Sequence, residues 1–298
     1  MPRYDRSSLP VLCLLGFPVV YLLAVCTPFG QRAENALMRG DGGAEPAWIY
    51  DWSGAAYGSS ALPPLEHTAM PTLLVGLVVI AAVTVARRCW WRGVAAAGVV
   101  GAAVGGKEFA RMLLPRPDLV GAPGVLGEGS FPSGHVAVPV GLVLGAVLVS
   151  APRFRTHVTA AGMLWLAVTA GAVQATYHHR PSDVIGSTLL ACACYGVAAR
   201  ALPRDEAPGT ALPGGTRRSR ASRTAAMALS AAGALVAGAR DDGLAPSLVF
   251  AAAAFLCSVL VWCVGGVDGR AGAGPGRRGE TRITRGAVTA RRAAPSER

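Results

Sequence analysis

Three short polar clusters carry most of the residues in this sequence that could do chemistry. They span residues 107–117, 130–135 and 178–183, and each lies at one end of an apolar segment. An ionisable side chain at the mouth of a membrane helix is costly, so it is kept mainly where it acts or finds a partner. We therefore expect the three clusters to meet in space and form one site.

The residue types of the first two clusters suit a phosphate anion. Arg116 offers a planar fork for two phosphate oxygens, and Lys107, the only lysine in the chain, offers a compact charge. The backbone N–H groups of Ser133 and Gly134 should open a helix and donate to the same anion. The Ser133 hydroxyl can add a further hydrogen bond. These four residues are predicted to bind phosphate.

Two histidines and a carboxylate could carry a transfer step. His179 and Asp183 are four residues apart, so on a helical turn they share one face. The carboxylate would fix the imidazole tautomer and leave the other ring nitrogen free to attack phosphorus. His135 could donate a proton to the leaving group. His135, His179 and Asp183 are therefore the predicted catalytic residues.

Each cluster also has a plainer interpretation when taken alone. Arg116 with Pro117 is also typical of a membrane-edge anchor, Ser-Gly-His at 133–135 of a helix cap, and His179 with Asp183 of a structural pair. A metal site built from the histidines and Asp183 would lack a recognised ligand spacing. Three such clusters on one side of one membrane favour a shared anion site over three separate anchors.

Composition indicates which elements position these clusters. Of the 298 residues, 52% are hydrophobic and 15% charged, which is typical of a multi-span membrane protein and not of a soluble domain. The net charge of +11 comes from arginines between and after apolar runs, where the positive-inside rule accounts for them. Nucleic-acid binding is therefore not expected. The seven cysteines show no metal-ligand spacing.

Eight apolar runs are predicted to be membrane helices. They cover residues 9–29, 69–86, 93–114, 136–151, 158–177, 184–199, 224–239 and 247–267. The resulting regions are a first span with an extracytoplasmic loop (1–68), a core (69–200), a basic cytoplasmic linker (201–223), two additional spans (224–267) and a disordered basic tail (268–298).

The arginines then assign the two sides of the membrane. The basic turns at 87–92 and 153–155 fall on the same side as the linker and the tail, and the polar clusters fall on the other. Because basic residues favour the cytoplasmic side, we expect a multi-pass protein of the cell membrane with both termini cytoplasmic. The site is predicted to face the extracytoplasmic side.

The three clusters resemble the three signatures of the type 2 phosphatidic acid phosphatase superfamily, whose site the soluble vanadium haloperoxidases share. The resemblance covers about residues 70–200, and its second signature, 132–135, is matched in full. It implies an all-α bundle with a six-helix core and hydrolysis through a phosphohistidine, without metal or other cofactor. It also implies that His179 is the nucleophile, Asp183 its orienter and His135 the leaving-group acid. The residues to which it assigns phosphate binding are Lys107, Arg116, Ser133 and Gly134.

The first signature departs from the superfamily pattern at one position. The family places a lysine seven residues before the arginine, and here that position holds Phe109. Lys107 lies nine residues before Arg116, which is two more than the family spacing, and Arg111 lies five residues before it, which is two fewer. Either of these cations could therefore be the second phosphate ligand.

The third signature lacks an arginine. The family has Ser-Arg ahead of the histidine, where this sequence has Ala172 and Val173. One phosphate-binding arginine is thus missing, and Arg180 and Arg111 are the candidate substitutes because arginine is long enough to reach.

Three hypotheses for function follow. The first is an integral membrane phosphatase acting on a lipid phosphate or polyprenyl (pyro)phosphate whose tail stays in the bilayer. The second is a catalytically weak or inactive member that binds anionic lipid headgroups; the absent arginine favours it, and the retained histidines and aspartate oppose it. A haloperoxidase is the third, and the apolar composition opposes it. The sequence predicts no oligomeric state.

Overall fold

The computed structural model describes residues 8–38, 70–121, 129–176, 178–202, 216–239 and 243–265. Within these ranges it contains nine α-helices and no strand, which confirms the predicted all-α bundle. The helices are α1 (Ser8–Val20), α2 (Pro28–Leu37), α3 (Met70–Arg87), α4 (Trp90–Leu113), α5 (Gly134–Val149), α6 (Pro152–Ala175), α7 (Pro181–Ala201), α8 (Thr216–Ala237) and α9 (Leu244–Gly265). A π-helical turn, Tyr21–Val25, extends α1.

Helix α5 lies at the centre of the bundle. Nearly all of its residues are buried, and it packs against α3, α4, α6 and α7. Helix α1 lies against α7, while α9 packs on α6 and α7, and α8 on α6 and α9. Small residues permit these close approaches. A Cβ on Gly162 of α6, for example, would lie 2.3 Å from Cγ1 of Val143 on α5.

Five of the described helical segments have the length and composition to cross a membrane. They are Ser8–Val25, Met70–Arg87, Pro152–Ala175, Pro181–Ala201 and Leu244–Gly265. Two further apolar helices, Gly134–Val149 and Arg223–Ala237, are shorter. Each of the eight apolar runs identified in the sequence is helical over most of its described residues. The architecture therefore fits a multi-pass membrane protein.

The helix boundaries correct the sequence predictions in three places. Helix α2 occupies the start of the segment expected to be a loop, because Thr27 caps it and Pro28 takes its first position. Helix α6 begins at Pro152, so residues 153–155 lie in its first turn. Helix α8 begins at Thr216, within the predicted linker. The rest of that linker, the tail and most of the first loop lie outside the described residues.

The bundle has two chemically different ends. At the first, which we call the basic end, Arg87 donates to the carbonyl of Val149 and Arg155 Nε donates to that of Ser150 at 3.3 Å. These bonds bring together the end of α3, the end of α5 and the start of α6. At the opposite end α4 and α6 finish while α5 and α7 begin. The three polar clusters lie at this second end, which we call the site end.

Candidate active site

Residues of the second and third clusters form a line of polar contacts. His135 Nδ1 lies 3.2 Å from His179 Nε2, and His179 Nδ1 lies 3.4 Å from Asp183 Oδ2. A carboxylate can only accept, so the Nδ1 that faces Asp183 is the donor of this contact, and Nε2 is the ring nitrogen of His179 that faces His135. The arrangement thus brings together the three residues that were predicted to catalyse.

Asp183 is held by donors from two clusters. Its Oδ2 accepts a hydrogen bond from Ser130 Oγ at 2.5 Å and another from the Arg180 N–H at 2.9 Å. Its backbone carbonyl accepts from the Ser133 N–H at 3.1 Å, and Ser187 Oγ donates to the Ser133 carbonyl at 2.7 Å. The start of α7 and the start of α5 are therefore fixed to each other.

His179 precedes α7 and does not lie on it. Arg180 has an extended backbone (φ −84°, ψ 162°) and Pro181 takes the first helical position, so the helix starts there. The prediction that His179 and Asp183 share a helical face is therefore wrong. The pair still meets because the chain folds back before the helix, where the His179 N–H donates to the carbonyl of Val173 at 3.0 Å.

Ser133 caps the central helix. Its Oγ accepts the N–H of Val136 at 3.3 Å, as expected of a helix N-cap. Its own N–H is engaged by the Asp183 carbonyl. This corrects the prediction that the Ser133 N–H donates to phosphate, and it leaves Gly134 as the predicted backbone donor of this turn.

Lys107 lies against the start of α5. Its Nζ is 3.1 Å from the point where a Cβ on Gly134 would lie, and the residue is 9% exposed. Phe109, at the position where the superfamily has its lysine, is 60% exposed on the outside of the bundle. Lys107 is therefore the α4 cation that lies against Gly134, and the side chain of Glu108 accepts from it.

A cavity of about 230 Å³ lies beside Ser130. Its polar lining comes from Arg111, Arg116 and Ser130. The remaining lining residues are Val25, Leu114, Pro115, Gly129 and Phe131. The two arginines thus face one space, next to the hydroxyl that donates to Asp183.

Three buried residues of α2 belong to this region, and the sequence analysis did not identify them. Glu34 Oε1 accepts the Ser182 N–H at 3.1 Å, and Glu34 Oε2 lies 3.9 Å from Arg116 Nη1. Asn35 Oδ1 accepts from Arg116 Nη2 at 3.3 Å. Gln31 donates to the carbonyl of Pro117 at 2.6 Å and so holds the loop that carries the arginine. The Thr-Pro helix start at 27–28, followed by polar residues at helical spacing, was the available signal.

Burial and charge shift two pKa values in this region. Burial raises the pKa of Glu34 to about 7, and the nearby negative charge of Asp183 adds to the shift. Burial also lowers the pKa of Arg116, and the positive charge of Arg180 acts in the same direction. Two guanidinium groups and two carboxyl groups therefore interact in one buried volume.

Comparison with known families bears on this geometry. Residues 105–206 match the family model described as the PAP2 superfamily. Over these residues the chain is similar to the PAP2 superfamily. The match includes all three polar clusters and confirms the family that their signatures predicted. No curated protein and no solved structure shows significant similarity to the chain. The PAP2 superfamily implies phosphatase activity in general, and the apolar helices fit a membrane phosphatase.

The matched region departs from the superfamily signature at Val173, and the structure gives this position a role in the core. Val173 is fully buried, and its carbonyl accepts the N–H groups of His178 and His179. Arg180 is instead the buried arginine of the third cluster, and its Nη1 donates to Ser130 Oγ at 2.9 Å. Among the described residues, no group of three or more His, Cys, Asp or Glu is arranged to hold a metal ion.

Proposed function

We propose that this PAP2 protein is an integral membrane phosphatase that hydrolyses a lipid phosphate or polyprenyl (pyro)phosphate through a phosphohistidine. The observation that carries the proposal is the line of contacts from His135 through His179 to Asp183 at one end of an apolar bundle. Apolar helices suit a substrate whose tail stays in the bilayer while its phosphate reaches the helix ends.

In the first step, His179 Nε2 attacks phosphorus and the bond to the leaving oxygen breaks. Protonated His135 gives its proton to that oxygen, which departs as an alcohol or as the shorter phosphate. Asp183 accepts from the Nδ1–H of His179 and stabilises the positive charge that this ring acquires. Because His135 Nδ1 lies 3.2 Å from Nε2, its ring must turn aside to admit the phosphoryl group.

In the second step, water attacks the phosphohistidine. The P–N bond breaks, inorganic phosphate leaves, and the now neutral His135 takes the proton from the attacking water. Both histidines then return to their starting protonation states. No metal or other cofactor takes part in the proposed mechanism.

The remaining predicted residues stabilise the charge on the transferred group. Lys107 and the Gly134 N–H contribute from the start of α5, and Arg116 contributes from the first-cluster loop. We assign the role of the missing third-signature arginine to Arg180, because it is buried beside Ser130 and Asp183. Arg111, which is exposed at the cavity, is the weaker candidate.

The proposed site faces outward. Arg87 and Arg155 lie at the opposite end of the bundle, and basic residues favour the cytoplasmic side of a membrane. With the eight predicted spans, both termini would be cytoplasmic. The substrate would accordingly be a lipid phosphate of the outer leaflet.

The proposal is tested by phosphate release from purified protein in detergent with EDTA present. The substrates are phosphatidic acid, a polyprenyl phosphate and a polyprenyl diphosphate, and the control is His179→Ala. Release by the parent protein and none by the variant supports the proposal. Release that needs added metal, or that persists in the variant, contradicts it. Lipid binding without release would favour the headgroup-binding alternative, which the apolar Val173 supports.

A further inference from the structure

We propose that Glu34 is a positioning residue that aims Arg116 at the phosphate and ties it to the start of α7. The inference rests on the proposed phosphate site and assigns to it an additional element, α2. Glu34 lies outside residues 105–206, the part of the chain that matches the superfamily model. It is 6% exposed, so its contacts are within the protein.

The two oxygens of Glu34 contact two different clusters. Oε1 accepts the N–H of Ser182 in the first turn of α7, two residues after Arg180. Oε2 lies 3.9 Å from Nη1 of Arg116 in the first-cluster loop. The carboxylate therefore connects Arg116 to the start of α7, the helix that carries Asp183. His179, the proposed nucleophile, lies just before that helix.

Helix α2 fixes the plane of the guanidinium group. Asn35 lies next to Glu34 in sequence, and its Oδ1 accepts from Nη2 of Arg116 at 3.3 Å. Nη2 of Arg116 is thus hydrogen-bonded to α2, while Nη1 makes the longer ion-pair contact with Glu34 Oε2 at 3.9 Å. A guanidinium carries further N–H donors on these nitrogens and on Nε, so donors remain for a phosphate. Arg116 also lines the cavity beside Ser130, where such a group could approach.

Keeping a negative charge on the buried Glu34 costs free energy, and a neutral residue in its place would avoid that cost. Burial raises the pKa of Glu34 to about 7, and Asp183 disfavours its ionisation while Arg180 favours it. A glutamine could still accept the Ser182 N–H without any buried charge. What glutamine cannot supply is a second acceptor oxygen directed at Arg116. The carboxylate is therefore best explained by its contact with the arginine.

The charge of Glu34 alone and its proposed positioning role predict opposite effects on phosphate binding, so the two can be told apart by experiment. Removing a negative charge near an anion site should tighten anion binding. If Glu34 positions Arg116, the Glu34→Gln change should weaken phosphate binding instead. Asp118 provides the matched control, because it is an exposed carboxylate that acts electrostatically on Arg116. Asp118→Asn removes the same charge without touching the Glu34 bridge.

The experiment measures binding of inorganic phosphate to the purified full chain in detergent, by calorimetry at pH 8. The proteins are the parent, Glu34→Gln, Arg116→Ala, the double variant and Asp118→Asn. We expect Kd to rise at least about tenfold for Glu34→Gln and for Arg116→Ala. The double variant should bind no more weakly than Arg116→Ala alone, because Glu34 acts through that arginine. Asp118→Asn should stay within about twofold of the parent or bind more tightly.

A stability measurement separates positioning from loss of fold. The Tm of Glu34→Gln at pH 8 should equal or exceed that of the parent, since a buried charge has been removed. Parental affinity in Glu34→Gln, an equal loss in Asp118→Asn, additive losses in the double variant or a lower Tm would each overturn the proposal. If Arg116→Ala leaves phosphate binding intact, the proposed phosphate site itself is wrong, and the role of Glu34 with it. If Arg116→Ala weakens binding and Glu34→Gln does not, only the role of Glu34 is wrong.

Discussion

His135 and His179 face each other across 3.2 Å, yet the proposed mechanism gives them different tasks. His179→Ala should abolish turnover and any acid-labile phosphoenzyme, because it removes the attacking nitrogen. His135→Ala should slow the first step, because the leaving oxygen then departs without a proton. The loss in His135→Ala should shrink with p-nitrophenyl phosphate, whose leaving group needs little protonation.

The measurement compares kcat for a lipid phosphate with kcat for p-nitrophenyl phosphate in the parent and both variants. No such rescue should occur in His179→Ala. If the good leaving group rescues both variants equally, the two roles have been assigned wrongly.

Arg180 is the proposed replacement for the arginine that position 173 lacks. Arg180→Ala should lower kcat/KM at least about tenfold, which corresponds to about 1.4 kcal/mol of transition-state binding. Arg180→Lys should recover part of this loss, because it restores the charge without the fork. Arg111→Ala should have the smaller effect, since Arg111 is exposed at the cavity. If kcat/KM is unchanged in both alanine variants, neither Arg180 nor Arg111 replaces the missing arginine of the third signature.

The ionisation of Glu34 should also appear in the pH dependence of stability. Its pKa rises from an ordinary 4.5 to about 7, so the folded protein holds this proton more tightly than the unfolded chain does. The resulting stabilisation is complete below about pH 4.5 and is lost as pH rises through about 7. The Tm of Glu34→Gln minus that of the parent should therefore increase between pH 5 and pH 8. A difference that is constant over this range contradicts the assignment.

The residue types of the site could be predicted from the sequence, but some of their bonds could not. His135, His179 and Asp183 were identified by type and spacing, and they do lie together. The engagement of the Ser133 N–H depends on how α7 packs beside α5, which no local pattern specifies. Glu34 was missed because its partner Arg116 is 82 residues away in sequence.

At the scale of elements, the second cluster depends on a close contact between α7 and Phe131. A Cβ on Gly186 would lie 2.4 Å from the ring of Phe131, which is buried against the rings of Phe17 and Tyr21. Gly186→Ala should therefore displace Phe131, which precedes 132–135 directly. We expect a loss of about 1–3 kcal/mol in stability, as for other overpacked cores, together with lower kcat/KM.

Gly98 supplies the control for this change. A Cβ added to Gly98 on α4 would meet nothing within 4 Å. Gly98→Ala should therefore leave activity unchanged and leave stability unchanged or up to about 1 kcal/mol higher, because alanine favours a helix. Thermal unfolding and phosphate release measured on both variants test the pair. Equal behaviour of the two variants would show that the Phe131 contact does not constrain the site.

Helix ends were harder to predict than helices. The apolar runs indicated the five described segments that are long and apolar enough to cross a membrane, because a bilayer demands long apolar segments. The exact starts of α5 and α7 depend on Ser133 and Pro181, which are local signals that the apolar pattern does not contain. Helix α2 escaped prediction because it is too short and too polar to resemble a span.

At the scale of the whole molecule, the two additional helices extend the core and do not form a separate unit. Gln174 of α6 donates to the carbonyl of Phe250 on α9 at 3.4 Å, and Ser258 of α9 donates to that of Met163 at 2.9 Å. The thiol of Cys257 approaches the carbonyl of Val184, the residue after Asp183, at 3.5 Å. Helix α9 thereby supports α7 directly beneath the proposed site.

The last prediction concerns the orientation of the bundle. Leu119 is exposed at the site end, and Thr156 is exposed in the early part of α6 at the basic end. Because arginines favour the cytoplasmic side, a cysteine at Leu119 should react with a membrane-impermeant maleimide on intact cells. A cysteine at Thr156 should react only after permeabilisation. The parent chain, which has seven cysteines, gives the baseline for both. The reverse pattern would put the site in the cytoplasm, and its substrate would then have to be a lipid phosphate of the inner leaflet.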